Sequence, residues 1–203
     1  MTIEIQRRID MKSLKKHSLA KVLAVAISAV LLLSAAGCAK GEKTPGGSSS
    51  NSSSVSDIKG FAAPDMDGNP VTDEYLKDHK LTLVNVMSST CNPCMEELPV
   101  LMKLSDEFKN KKVGFLGLNV DLDAQGNPDP ESAKVMQKLQ KENGGEMKII
   151  SPDGVLLEKV LLNVDAMPYT LFVDQDGNVV GNDYLGDKSE DQWREIISGE
   201  LGE

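Results

Sequence analysis

The chain carries three short, mostly apolar runs, Leu81–Met87, Val113–Val120 and Tyr169–Asp174, and each reads as a strand. Val113–Val120 is continuous enough to suit a parallel strand buried on both faces. Between the first two runs the period lengthens: Leu98, Leu101, Met102, Ser105 and Phe108 recur at helical spacing, with Pro99 expected to kink the helix. Asp129-Pro130-Glu131 supplies an N-cap, a proline for the first helical position and an early acid, and Asn143-Gly144 a stop, which predicts a helix over 130–142. Ile149-Ile150 is a brief strand candidate and Val155–Leu162 a short helix. Asp176-Gly177 turns the third run back into Asn178-Val179-Val180. Ser189-Glu190-Asp191-Gln192 reads as a capping box ahead of Trp193, Ile196 and Ile197, with Gly199 ending the last helix. Upstream, Phe61–Val71 has turn residues between short apolar ends and predicts a small hairpin. No internal repeat is visible. The order of elements predicts an α/β domain, a central mixed sheet with helices on both faces and a hairpin extension at its N-terminal side.

The first third of the chain breaks this pattern. Lys12, Lys15, Lys16 and Lys21 precede an apolar run from Val22 to Leu33, followed by Ser34-Ala35-Ala36-Gly37 and then Cys38. A basic stretch, a short apolar core and small residues make a signal peptide over 1–37. The run is too short for a membrane span, and a cysteine directly after Ala-Ala-Gly resembles the lipobox of bacterial lipoproteins, with Cys38 as the lipidated residue. Ala35 stands where a leucine is usual. An uncleaved anchor or ordinary secretory cleavage are the alternatives, and each still puts the domain outside the cytoplasm. Met11 is a better start for such a peptide than Met1, whose first ten residues include Glu4 and Asp10. Residues 38–57, with Gly46-Gly47 and a serine run from Ser48 to Ser54, form a flexible tether, and the domain occupies 58–203.

Composition narrows the partners. The whole chain has 22 Lys+Arg against 31 Asp+Glu; removing residues 1–38 leaves 16 against 29, a net charge of −13. Such a surface repels nucleic-acid phosphates and stands off anionic lipid. With Cys38 as anchor, the remaining two of the three cysteines form one pair, Cys91-Asn92-Pro93-Cys94, and no structural disulfide framework is possible.

That pair carries the chemistry. It follows the strand Leu81–Met87 and opens the helical segment, so Cys91 meets the unpaired N–H groups and partial positive charge of a helix start, which favour a thiolate. Cys91 is the expected nucleophile. Cys94, one turn on, can attack a mixed disulfide at Cys91 and close an intramolecular disulfide. The pair transfers two electrons without a cofactor. Half a zinc site has the same spacing, but the two histidines are His17, in the signal peptide, and His79, read as solvent-exposed ahead of the first strand, so a four-ligand site cannot be completed. Haem attachment needs a histidine where Met95 stands.

Several separate motifs resemble those of the TlpA/ResA-like extracytoplasmic thiol-disulfide oxidoreductases, a thioredoxin-like group of the redoxin superfamily. Cys91-Asn92-Pro93-Cys94 continues into Glu97-Leu98-Pro99, and the later block Ala166–Asp174 followed by Asp176-Gly177 is similar to that family's cis-proline loop and its next strand. The resemblance implies a thioredoxin-like fold, a cis Met167–Pro168 bond beside Cys91, and a Met167 backbone able to pair with an extended substrate. It implies that Glu97 tunes Cys94 and relays its proton; a first-turn glutamate complementing the helix dipole is the plainer reading. It further implies reduction of disulfides in exported proteins and re-reduction by a membrane thiol electron donor of the CcdA/DsbD type. Two positions depart from relatives. Asn85 stands where cytoplasmic thioredoxins have a buried aspartate, and Thr90 where most members of the group have tryptophan. The surface around Cys91 is therefore expected to be more polar and open, with Thr90 a substrate-contacting position.

Two other activities share this architecture. A thiol peroxidase of the peroxiredoxin type needs a proline- and threonine-containing approach to its cysteine, and Ser88-Ser89-Thr90 lacks that spacing and proline. A Sco-like copper-delivery protein uses a wider cysteine spacing and a distal histidine, which the chain does not supply.

Overall fold

The computed structural model describes residues 54–203. The expected signal peptide, the Cys38 lipidation site and the serine-rich segment up to Ser53 lie outside the described residues. The described chain runs β1 (Ala62–Pro64), β2 (Pro70–Thr72), α1 (Glu74–Lys77), β3 (Leu81–Met87), α2 (Asn92–Phe108), β4 (Val113–Asn119), α3 (Pro130–Asn143), β5 (Lys148–Ile150), α4 (Gly154–Lys159), β6 (Tyr169–Val173), β7 (Val179–Leu185) and α5 (Glu190–Glu200). Short 3₁₀ turns at Lys109–Lys111 and Leu161–Asn163 extend α2 and α4. No helix among the described residues is long and apolar enough to cross a membrane.

β1 and β2 form the expected hairpin, and the other strands form one sheet in the order β5-β4-β3-β6-β7. β3 is parallel to β4 and β4 to β5, whereas β6 is antiparallel to both β3 and β7. The C-terminal ends of β3 and β4, the start of β6 and the end of β7 therefore lie at the same end of the sheet. Strand alternation divides the core in two. Leu81, Leu83 and Met87 of β3 and Phe172 of β6 join Leu98, Leu101, Met102 and Phe108 of α2 and Trp193 and Ile197 of α5 on one face. Val84, Val86, Leu171 and Val173 join Ile58, Phe61, Leu76, Leu156 and Val160 on the other.

Local chemistry explains most element ends. Asp129 accepts from Ser132 N–H at 2.8 Å and Asp153 from Leu156 N–H at 2.9 Å, starting α3 and α4. Ser189 and Gln192 close the predicted capping box of α5, which runs one residue past Gly199. α2 continues without a break through Pro99. One turn recurs three times, as Asp65–Asn69, Asp123–Asn127 and Asp174–Asn178. In each, the aspartate accepts from the backbone N–H groups two and four residues on and from the asparagine side chain. The glycine before the asparagine, at φ 85°, 82° and 77°, supplies the left-handed backbone that closes the turn.

Two expectations need correction, and one element was not foreseen. The domain begins before Ile58: Val55 is buried, Val179 N–H donates to the Ser56 carbonyl at 3.0 Å, and Asp57 bridges Asn178, because residues 55–57 carry the chain alongside β7. His79 is half-buried rather than solvent-exposed; its ring lies 4.6 Å from that of Tyr75 and its Nδ1 is 2.9 Å from the Tyr75 carbonyl. The one-turn helix α1 has no signature in the apolar pattern. Tyr75, on that helix, has its hydroxyl 3.2 Å from both the N–H and the carbonyl of Phe115 in β4, and burial pushes its pKa up to about 12.

Candidate active site

β3 delivers the chain to the helix start. Met87 ends the strand, Ser88–Thr90 cross the end of the sheet, and Cys91 becomes the N-cap of α2 with extended backbone, φ −89° and ψ 103°. Asn92 and Pro93 then begin the helix. Proline costs nothing in this first turn, where its missing N–H would have no helical partner. Cys91 N–H donates to the Ser88 carbonyl at 3.1 Å, and the Cys91 Sγ accepts from Cys94 N–H at 3.3 Å. The first cysteine thus occupies the position where an N-terminal N–H and the helix dipole favour negative charge on sulfur.

The two sulfurs are joined in a disulfide, with Sγ–Sγ 2.03 Å and Cα–Cα 5.3 Å. Their environments differ. Cys91 is half-buried, while Cys94 is 1% exposed and packed within the α2-side core. An incoming disulfide reaches Cys91; Cys94 reaches only Cys91. The Met167–Pro168 peptide bond is cis, and Met167 packs on the same core cluster as Cys91. Gly186 N–H donates to the Pro168 carbonyl at 2.9 Å, tying the loop before β6 to the loop after β7, whereas the backbone groups of Met167 take no hydrogen bond among the described residues.

Glu97 lies one helical turn beyond Cys94 and is 3% exposed. Its Oε1 accepts from Trp193 Nε1 at 2.7 Å and from Lys188 N–H at 2.8 Å, and its Oε2 accepts from Asn85 Nδ2 at 3.1 Å. Burial pushes the Glu97 carboxyl above the usual range, against the opposing pull of the Trp193, Lys188 and Asn85 donors. The register of β3 and β6 sets Asn85 opposite Thr170, and Asn85 Nδ2 donates to Thr170 Oγ1 at 2.9 Å as well. Asn85 therefore bridges sheet and helix where an aspartate would place a second buried charge beside Glu97. Trp193, which the sequence marks only as an apolar position of the last helix, acts as a donor to the buried carboxylate; its helical spacing contains no sign of that bond.

Asp121, which the sequence pattern did not single out, lies just after β4 and organises the approach to Cys91. Its carboxylate accepts from Ser88 Oγ at 2.6 Å, Ser89 N–H at 2.7 Å and Ser132 Oγ at 2.6 Å. Burial acts to raise its pKa, but the donors from Ser132, Ser88 and Ser89 together outweigh that effect and hold it below the usual carboxylate range. Thr90 is exposed at the rim, with its N–H 3.2 Å and its hydroxyl 2.9 Å from Ser88 Oγ. One end of the sheet thus gathers Cys91, Cys94, Glu97, Thr90, Met167 and Pro168.

Comparison with known proteins agrees with this arrangement. Over 140 residues the chain is 25% identical to the thiol-disulfide oxidoreductase ResA of Bacillus thuringiensis subsp. konkukian (strain 97-27), the match covering 68% of this chain and 72% of that protein. A thiol:disulfide interchange protein of the thioredoxin family from Chlorobium tepidum TLS superimposes with a TM-score of 0.57 at 19% identity, over 74% of this chain and 99% of that one. StoA from Bacillus subtilis gives a TM-score of 0.50 at 18% identity, over 68% and 95%. These structures share the thioredoxin-like fold. The Redoxin family model matches residues 39–197, and the chain belongs to the Redoxin family, among its ResA-like thiol-disulfide oxidoreductases.

Proposed function

We propose that this thiol-disulfide oxidoreductase is tethered to the membrane through Cys38 and reduces disulfides in exported proteins. The observation that carries the reading is the asymmetry of the pair: a half-buried Cys91 at the helix N-cap, bonded to a buried Cys94. In the dithiol form, the Cys91 thiolate attacks one sulfur of the substrate disulfide. A Cys91–substrate bond forms, the substrate bond breaks, and the departing thiolate takes up a proton. Cys94 then loses its proton and attacks Cys91 Sγ, which releases the second substrate thiolate and closes the disulfide seen in the structure. A membrane thiol donor of the CcdA/DsbD type returns two electrons and two protons.

Glu97 serves the second step. A buried carboxyl with a raised pKa, one turn from the resolving cysteine, is suited to take and return that proton, and among the described residues Oε2 accepts a single hydrogen bond, from Asn85 Nδ2. The Met167 backbone, which takes no hydrogen bond among the described residues, supports pairing with an extended substrate strand beside Cys91.

The test is trapping with Cys94→Ser, in cells and against oxidised exported proteins in vitro. Without the resolving thiol, substrates stay joined to Cys91 in complexes that dissolve on reduction. If no such complex forms while the wild type also leaves insulin disulfides intact, a broad reductase role is excluded.

A further inference from the structure

Proton accounting around Asp121 fixes which way the Thr90 hydroxyl points. The carboxylate faces three donors, Ser88 Oγ, Ser89 N–H and Ser132 Oγ, so it acts only as an acceptor. Ser88 has one hydroxyl proton, and the 2.6 Å contact commits it to Asp121 Oδ1. The two lone pairs of Ser88 then receive Thr90 N–H at 3.2 Å and the Thr90 hydroxyl proton at 2.9 Å. Thr90 Oγ1 has therefore given up its proton inward and keeps both lone pairs. Thr90 is exposed and immediately precedes Cys91, so those lone pairs are left for a chain that approaches the nucleophile.

The anchorage is firm. Asn119 Nδ2 donates to Ser132 Oγ at 2.9 Å, and Ser132 N–H is held by Asp129 at the start of α3, so Asp121 is braced by a helix and by the end of β4. A tryptophan before the cysteine would offer an apolar ring at this place. Here the rim offers a preset acceptor.

Building on the thiol-disulfide reading, we infer that Thr90 is a specificity-determining residue that accepts a hydrogen bond from a backbone N–H flanking the substrate's reactive cysteine, and that Asp121, acting through Ser88, is the positioning residue that sets its polarity. Asp121→Asn makes a distinctive change. The asparagine carbonyl takes over the two contacts of Oδ2 while its amide donates to Ser88. The Ser88 proton must then turn to Thr90, and the Thr90 hydroxyl swings outward as a donor.

The probes are short peptides whose single cysteine is disulfide-bonded to thionitrobenzoate, either unmodified or N-methylated at one of the two amides flanking the cysteine. Release of thionitrobenzoate reports the second-order rate with the reduced protein. One of the two methylations is expected to slow the wild type about five- to tenfold, the size of one hydrogen bond. The penalty should vanish in Thr90→Val, persist in Thr90→Ser and vanish in Asp121→Asn. The ratio between methylated and unmodified peptide is the readout, because a merely structural role for either residue would slow both peptides alike. A penalty that is absent from the wild type, or equal in wild type and Thr90→Val, overturns the inference. A wild type that reacts with none of the peptides overturns the thiol-disulfide reading beneath it.

Discussion

Cys91→Ser should abolish turnover of insulin disulfides, a loss of about 10³-fold or more, because a serine oxygen cannot form the mixed disulfide on which both later steps depend. Cys94→Ser should lose turnover as well but keep the first step, so a stoichiometric burst of mixed disulfide at Cys91 is expected where the Cys91 variant gives none. The asymmetry follows from position. Cys91 sits at the helix N-cap with part of its surface open, whereas Cys94 is enclosed by the α2-side core and closed to an incoming disulfide. Mixing each pre-reduced variant, cleared of reductant, with insulin and weighing the products separates the roles. Equal mixed-disulfide formation by the two would show that the sulfurs are interchangeable.

Glu97→Ala should destabilise the fold by ~3–5 kcal/mol in urea unfolding, and Glu97→Gln by much less. The alanine leaves Trp193 Nε1, Lys188 N–H and Asn85 Nδ2 facing a cavity, and each buried donor left unpaired costs ~1–3 kcal/mol, offset where the site relaxes or admits water. Glutamine keeps a carbonyl oxygen for Trp193 and Lys188, and a flipped Asn85 amide can accept from its NH₂ group. The pH dependence carries a sign. Because burial raises the Glu97 pKa in the folded state, the folded protein binds the proton more tightly than the unfolded chain, whose glutamates titrate near pH ~4.3. That contribution is fully present below the unfolded value and is lost as pH rises through the folded one, so stability should fall with rising pH across this window. Glu97→Gln should flatten the slope. The same slope in wild type and Glu97→Gln would mean that Glu97 titrates normally.

The sheet was largely legible because its strands are apolar runs with few interruptions, and β3, β4, α3 and β6 fall within a residue of the expected bounds. The cysteine pair was legible because its chemistry is local: strand, two thiols and helix start are consecutive. What escaped depends on contacts between segments distant in sequence. Asp121 looks like any polar residue after a strand, and its role appears only when β4 brings it under Ser88 and Ser89. The Trp193–Glu97 bond joins residues 96 apart. The start of the domain was set too late because Ser54–Asp57 has the composition of the serine-rich segment before it, and a single Val55 was too little apolar signal to reveal pairing with β7. α1 is one turn long and mostly polar, and Tyr75 discloses its purpose only through the Phe115 backbone on β4.

The central claim, that Cys91 and Cys94 form one reversible two-electron couple, is tested most directly by equilibrating residues 54–203 in glutathione buffers of stepped ratio, quenching with an alkylating reagent and weighing the products. Only two species are expected, unmodified disulfide and doubly alkylated dithiol, interconverting through a single two-electron transition in either direction. A disulfide that no ratio opens, or a stable population alkylated at one cysteine alone, would contradict it.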